Sequence, residues 1–500
     1  MRRRSALILA VVTMSLLVRA AAAQNPTPSV STARQDVGRL IAALLGDSPL
    51  VRDLAVLSDE IGGRATGSPP NLRAVEWGIA RFRDAGVDMR KEPFTMPSLW
   101  LERSATVTIA GEGIRFSPRV AAMPFSVASP PAGITAPLID IGFGGDADFK
   151  TAGAKVKGAI ILVEQKELLD VDGLFREYDE SAKIEDRAFA ADAAGIVYMG
   201  SRPNDLLYRH NVAIGSRNTR PMLVMESDGA KRALRLLRAG RTLTITEMID
   251  IESGGPYQSF NVVGEIRGAT RPTEIVLIGS HLDSWDLGSG SLDNGANVAI
   301  MIDVARQMKR LGIRPARTVR FALWNGEEQG MEGSFGYVRA HAAELDRHVM
   351  TMAFDIGCGR INGFFTNGRA DILSAVDRAL EPVAGLGPFM QVNAPIVGTD
   401  NFDFMLQGVP NLVANQEAAS YGPNYHARSD TFDKCDAQQL RLNAAIAAAV
   451  ALGFADSDEL FPRSTRAQVE ELMRTTDLAQ QMKTFNLWEG WAAGTRGRAR

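Results

Sequence analysis

Between Gly279 and Glu328 the sequence sets His281 and Asp283, then Asp293, then the doublet Glu327-Glu328. A histidine and several carboxylates within so short a span are ligand chemistry for a divalent metal that activates water. His281 and Asp283 stand two apart at the end of an apolar run, so on a strand both point the same way. A ligating histidine needs a partner that fixes its tautomer, and Asp283 is placed to be one. Asp293 follows in a Gly/Ser-rich loop, 287–295, that lets the backbone approach an ion. Taken alone, His-x-Asp reads equally as a surface turn. Glu327 and Glu328 close another apolar run beside Leu323 and Trp324, where two carboxylates are costly without a cation. Their side chains diverge, so one can bind metal while the other faces water; a solvated acidic turn before a helix is the alternative.

Two further candidates come later. Asp355 ends the run Met350-Thr-Met-Ala-Phe354 and is either a turn former or a site residue. Tyr425-His426 supplies a second histidine, with Asp430 four residues on. His210, His341 and His348 lack such carboxylate partners and read as structural or solvated.

These residues need a frame that brings distant segments to one edge. From Asn261 onward, apolar runs at Ile275–Ile278, Val319–Trp324, Val349–Phe354 and Asn411–Ala414 suit buried strands. Val298, Met301, Ile302, Ala305 and Met308 mark an amphipathic helix between two of them. Alternating strands and helices predict an α/β sandwich with helices on both sheet faces, whose ligands gather beyond the strands' C-terminal ends. The candidates stand there. Upstream, residues 24–100 read as a helical lead-in: Val37, Leu40, Ile41 and Leu44, then Val75, Ile79 and Phe82, recur at helix spacing. Residues 101–254 carry short β-like runs separated by Gly, Pro and Asp turns. The catalytic unit is expected over 255–460, and 461–500 is expected to be a helical tail with a frayed basic end.

At 500 residues the chain is too long for one ordinary core. A formal net charge of −3 gives no reason to expect nucleic-acid binding. Residues 1–23 read as an export signal: Arg2-Arg3-Arg4, an apolar stretch from Ala6 to Val18, and a small-residue cleavage pattern at Ala21-Ala22-Ala23. That stretch falls short of the ~20 residues that span a bilayer, so the expectation is cleavage before Gln24, a periplasmic or secreted protein and no membrane partner. The only cysteines are Cys358 and Cys435. One bridge cannot define a fold of this size, a thiolate zinc site is excluded by the count, and both are read as free buried thiols.

The ordered set His281-x-Asp283-Ser-Trp, Asp293, Glu327-Glu328, Asp355 and His426-x-x-x-Asp430-Thr resembles the M28 family of co-catalytic zinc exopeptidases. Ser280–Asp286, Leu323-Trp324 with Glu327-Glu328-Gln-Gly330, and Gly398-Thr-Asp400 look like its carboxypeptidase Q branch. The likeness runs from about Val51 to Ser464. It implies the zinc exopeptidase sandwich, and residues 101–254 resemble the β-rich protease-associated domain inserted in several exported peptidases. It further implies two zinc ions: Asp293 would bridge them, His281 and Asp355 would complete one ligand set, and Glu328 with His426 the other. Glu327 would be the general base and Asp283 the orienter of His281. A strained cis peptide is implied after Asp293, although Asn294 stands where many relatives carry a second aspartate. A homodimer is implied without any independent signature in the residues.

The resulting expectation is an exported exopeptidase acting on dipeptides or short peptides, of carboxypeptidase type, with aminopeptidase action as the runner-up. A non-catalytic receptor on this fold would be expected to have lost ligands, yet all five positions and the base are filled. A single-zinc cyclase remains a matter of metal stoichiometry. A serine hydrolase lacks its Gly-x-Ser-x-Gly elbow. Arg428 and Asn424 are candidates for contacting a substrate carboxylate, set against a reading as solvated loop residues.

Overall fold

The computed structural model describes residues 30–168, 171–210 and 218–499, so the segment read as an export signal lies outside the described residues. Helices Val30–Leu45 and Pro69–Asp84 open the described chain and lead into strand β1 (Asp88–Met96). The lead-in is therefore not helical to its end. Asp88–Met96 is an edge strand, charged and carrying Pro93, and pairs antiparallel with one neighbour only.

Among the described residues, a sheet of eight strands follows: β2 (Leu99–Gly111), β3 (Ile114–Phe116), β4 (Val120–Ala122), β5 (Ile134–Asp140), β6 (Ile160–Val163), β7 (Gly195–Met199), β8 (Met222–Met225) and β9 (Thr244–Gly254). Its order is β3-β2-β9-β5-β6-β7-β8-β4, with β5 to β8 mutually parallel. Helices Asp146–Ala152, Val171–Ala190 and Ser227–Arg238 accompany it. The chain then returns to the first sheet through β10 (Tyr257–Ile266), β11 (Arg271–His281), β12 (Arg317–Trp324), β13 (His348–Ala353), β14 (Ile361–Phe365) and β15 (Asn411–Gln416). This sheet has the order β1-β10-β12-β11-β13-β15-β14, with β12, β11, β13 and β15 parallel.

Strand alternation sorts the core. On β11, Val276 and Ile278 enter one cluster, shared with helices Ala296–Arg310 and Ala437–Asp456. Ile275 and Leu277 enter a second on the opposite face, with Tyr337, Val338 and Phe404. Helices thus cover both faces of a mixed sheet, and no helix among the described residues is long and apolar enough to cross a membrane.

Order reverses around β11: β12 lies on one side of it and β13 on the other. In an open α/β sheet a crevice forms at such a reversal, beyond the carboxyl ends of the strands. His281 is the last residue of β11, and Asp355 follows the end of β13 by two positions.

The C-terminal segment differs from expectation at its end. The helix Arg466–Thr475 opens with a Thr465/Gln468 capping box, as its hydrophobic spacing allows. The basic end is docked rather than frayed. Arg496 is buried, donates to both carboxylate oxygens of Asp403 at 2.8 and 2.6 Å, and lies over the Phe335 ring. A buried bidentate ion pair of this kind holds the chain end against the helix Phe402–Leu406.

Candidate metal centre

Two parallel strand ends and two loops deliver the donor atoms. His281 Nε2 faces Asp355 Oδ1 at 2.9 Å and Asp293 Oδ1 at 3.1 Å. His426 Nε2 faces Glu328 Oε2 at 3.0 Å and Asp293 Oδ2 at 3.5 Å. His281, Asp293 and Asp355 form one cluster whose ligand atoms all lie within 4.8 Å of one another, and Asp293, Glu328 and His426 form another. Asp293 belongs to both, with one oxygen toward each histidine. The five residues expected as ligands are therefore brought together around a single shared carboxylate.

The surroundings fit a cation. Glu328 Oε1 and His426 Nδ1 are buried without a hydrogen-bond partner. Burial, followed by the Asp293 carboxylate, holds Glu328 well above the usual carboxylate range. Burial likewise pushes His426 down to about 4, leaving a neutral imidazole of the kind that ligates metal. Burial would also lower His281, but Asp355, Asp283 and Asp293 around it prevail and raise it well above its ordinary range. A divalent cation among these carboxylates takes over the proton's role and reverses that logic. Imidazole and carboxylate donors in this number suit a borderline divalent ion.

Outer contacts set the donors in place. His281 Nδ1 is 3.0 Å from the backbone carbonyl of Asp283, whereas the Asp283 carboxylate stands at 3.7 Å. The tautomer is thus held by the carbonyl of the expected orienter rather than by its side chain. The carboxylate instead accepts from the Thr66 hydroxyl at 2.7 Å and from the Glu327 backbone N–H at 3.3 Å. Asp430, four residues after His426, does not pair with it. Its carboxylate accepts the N–H groups of Ser291, Leu292 and Asp293 at 2.8, 2.7 and 3.2 Å, fixing the loop that carries the shared ligand.

The peptide between Asp293 and Asn294 is cis. Asn294 donates to the Phe354 carbonyl at 2.8 Å and accepts from Asn297 at 2.7 Å. An ionised aspartate could not make the first bond, so the amide does structural work that a second carboxylate would leave undone.

Arg64, from the lead-in, is buried beneath the same loop and donates to the carbonyls of Leu282, Ser289 and Gly290, each at 2.8 Å. Gly63 permits that approach, because a Cβ there would meet Asp286 Cα and the Gly288 carbonyl at 2.7 Å. Trp285 joins the site to the insert: its ring stands edge-on to His426 at 6.1 Å and edge-on to Trp100 at 6.1 Å in the core of the inserted sheet. Sequence reading missed Thr66, Arg64 and Tyr421. The signal nearest to them was the glycine pair Gly62-Gly63, read only as punctuation.

A cavity of about 110 Å³ opens on the donors and is lined by Glu327, Glu328, Asp355, His426 and mostly apolar residues. Its walls come from three parts of the chain: Phe125, Phe175, Tyr178 and His210 from the insert, Val397 to Thr399 with Tyr421 and Tyr425 from the catalytic unit, and Phe485 from the tail. The Tyr421 hydroxyl donates to Asp293 Oδ2 at 3.3 Å. Burial holds Tyr178, Tyr421 and Tyr425 above the usual phenol range, so they remain neutral donors.

Glu327 also lines this cavity. Burial first, then Asp355 and Glu328, raise it well above the usual carboxylate range although His281 opposes them. His210 is a buried wall residue stacked on Tyr198 at 4.5 Å, and His341 and His348 pack against Tyr337 away from the site. Arg428 is exposed, Asn424 is buried and donates to the Ser420 carbonyl, and neither lines the cavity.

Residues 261–451 match the model of peptidase family M28. Carboxypeptidase Q of Bos taurus is 28% identical over 424 residues, covering 82% of this chain and 86% of that protein. Among solved structures, a peptidase M28 precursor from Shewanella amazonensis superposes with a TM-score of 0.79 at 28% identity, covering 87% of this chain and 100% of that one. The zinc aminopeptidase BSAP from Bacillus subtilis, at 20% identity and a TM-score of 0.65 over 80% of this chain and 93% of that one, shares the fold.

Proposed function

We propose that this chain, a peptide hydrolase whose residues 261–451 belong to peptidase family M28, is an exported zinc exopeptidase acting on dipeptides or short peptides in carboxypeptidase fashion. One observation carries the reading: the two oxygens of Asp293 face two separate histidine–carboxylate pairs. His281 and Asp355 would hold one zinc ion and Glu328 with His426 a second, with Asp293 between them. Zinc bound there would polarise the scissile carbonyl and acidify the attacking water. The family likeness and the zinc aminopeptidase BSAP support that choice of metal.

The chain's own groups do the rest. Glu327, at the cavity wall, takes a proton from the attacking water onto its carboxylate and later passes it to the departing amine nitrogen. The Tyr421 hydroxyl, donating to Asp293, would hold the shared carboxylate in place, and the neutral Tyr425 hydroxyl at the cavity wall is left as a donor for a developing oxyanion. The apolar walls from the insert and the tail exclude water and seat the substrate side chains. The insert is read as a protease-associated domain, and residues 1–23 support export.

Carboxypeptidase action is supported by the relative named carboxypeptidase Q. One observation favours aminopeptidase action instead: among the described lining residues there is no lysine or arginine to pair with a substrate carboxylate, while three carboxylates face the cavity. Dipeptides blocked at one end separate the two. The proposal expects hydrolysis of N-acetylated dipeptides and none of C-amidated ones. The converse pattern makes the enzyme an aminopeptidase, and cleavage of doubly free dipeptides alone makes it a dipeptidase.

A further inference from the structure

We propose that Cys358 and Cys435 form a disulfide that clamps the turn after β13 to the turn before helix Ala437–Asp456. They are the only cysteines of the chain, far apart in sequence, and the fold brings them together. Cys358 Sγ donates to the carbonyl of Lys434, the residue before Cys435, at 3.6 Å. The Cys358 thiol is near enough to Cys435 to be the first cause holding its thiol above the usual range. Both stand as free thiols in the structure, Cys358 buried and Cys435 partly so.

The bond would sit just outside the donor cluster. Cys358 stands three residues after Asp355, in a turn whose Gly357 carbonyl accepts from Asn297 at 3.0 Å and Gln416 at 2.7 Å. Cys435 Sγ lies 3.9 Å from the Ser291 carbonyl, next to the loop that Asp430 holds. The disulfide would therefore join the segment carrying Asp355 to the segment that fixes Asp293, without either sulfur serving as a ligand.

Its formation is a thiol–disulfide exchange with an oxidised small disulfide such as glutathione disulfide. The Cys435 thiolate attacks one sulfur of the oxidant and releases one thiol. Cys358 then attacks Cys435 in the mixed disulfide and releases the second. Two protein thiols lose two hydrogens, and one oxidant molecule becomes two thiols. The Cys358 contact, and then burial, hold the Cys435 thiol above its usual range, so pairing belongs to the folding chain rather than to the folded one. The inference rests on the proposed export to an oxidising compartment, where disulfides persist.

The test uses the full chain exported to a bacterial periplasm and, in parallel, refolded in a mixed glutathione buffer. Free thiols are alkylated under denaturing conditions before tryptic digestion. The expected product is peptide 348–360 joined to peptide 435–441, lost on reduction. Reductant should lower the Tm by on the order of 5 °C, and Cys435→Ser should abolish that response to reductant. Complete alkylation of both cysteines in both preparations overturns the proposal, whether or not the variant folds. Dipeptide hydrolysis is read on the same samples. Turnover without the cross-link removes this inference alone, and the cross-link without turnover removes the peptidase reading alone.

Discussion

At the scale of single residues, the proposed chemistry divides the donors that would hold a cation from Glu327, which would move a proton. Glu327→Gln keeps the shape and removes the basic oxygen. Turnover of a dipeptide should fall by about 10²–10⁴-fold while metal content, measured by elemental analysis, stays at the wild-type level. Unchanged kcat in that variant would take Glu327 out of the mechanism. His281, Asp355 and the Glu327-Glu328 doublet were legible because polar groups close apolar runs, Asp293 because it stands in a Gly/Ser-rich loop, and His426 because Asp430 follows four residues on. Their supports were not. Thr66 reaches Asp283 across 217 positions and Arg64 reaches Leu282 across 218, and no periodicity or spacing reports a contact at that range. Asp430 was visible as a neighbour of His426, yet its partners proved to be three backbone N–H groups of another loop, which no side-chain pattern encodes.

At the scale of elements, apolar runs located β11, β12, β13 and β15 because buried parallel strands are continuously hydrophobic. The edge strand β1 escaped the same reasoning, since its sequence Asp-Met-Arg-Lys-Glu-Pro-Phe-Thr-Met carries the charges and the proline that edges tolerate. The inserted sheet holds a further element-level consequence. Glu247 on β9 is buried with neither carboxylate oxygen hydrogen-bonded, and burial pushes it up to about 8. Its folded-state affinity for protons exceeds the unfolded one, so its contribution to stability is fully present below about pH 4.5 and is lost as pH rises toward 8. Glu247→Gln removes that dependence. The Tm gap between variant and wild type should therefore grow in the variant's favour from pH 5 to pH 8, by an amount corresponding to a few kcal/mol. A gap that stays constant over this range would mean that Glu247 remains ionised in the folded chain.

At the scale of the whole molecule, the insert and the tail both line the cavity that opens on the donors. Tyr178 from the insert and Phe485 from the tail meet with ring centroids 4.7 Å apart in the cavity wall. Phe485→Ala should raise KM for dipeptides with apolar side chains and leave kcat nearly unchanged, the signature of lost uniform binding. A fall in kcat at constant KM would instead tie the tail to the chemistry. Sequence composition marked the three regions but not their convergence, because the Trp285 and Phe485 contacts that unite them join separate chain segments. The central claim is that the divided faces of Asp293 hold two ions, and zinc titration of the metal-stripped chain, with dipeptide turnover followed at each addition, tests it most directly. The account predicts that stripped protein is inactive, that binding saturates at two zinc ions per chain, and that activity returns as the pair of sites fills. Full turnover by the zinc-free chain, or saturation at a single ion with full activity, would contradict it.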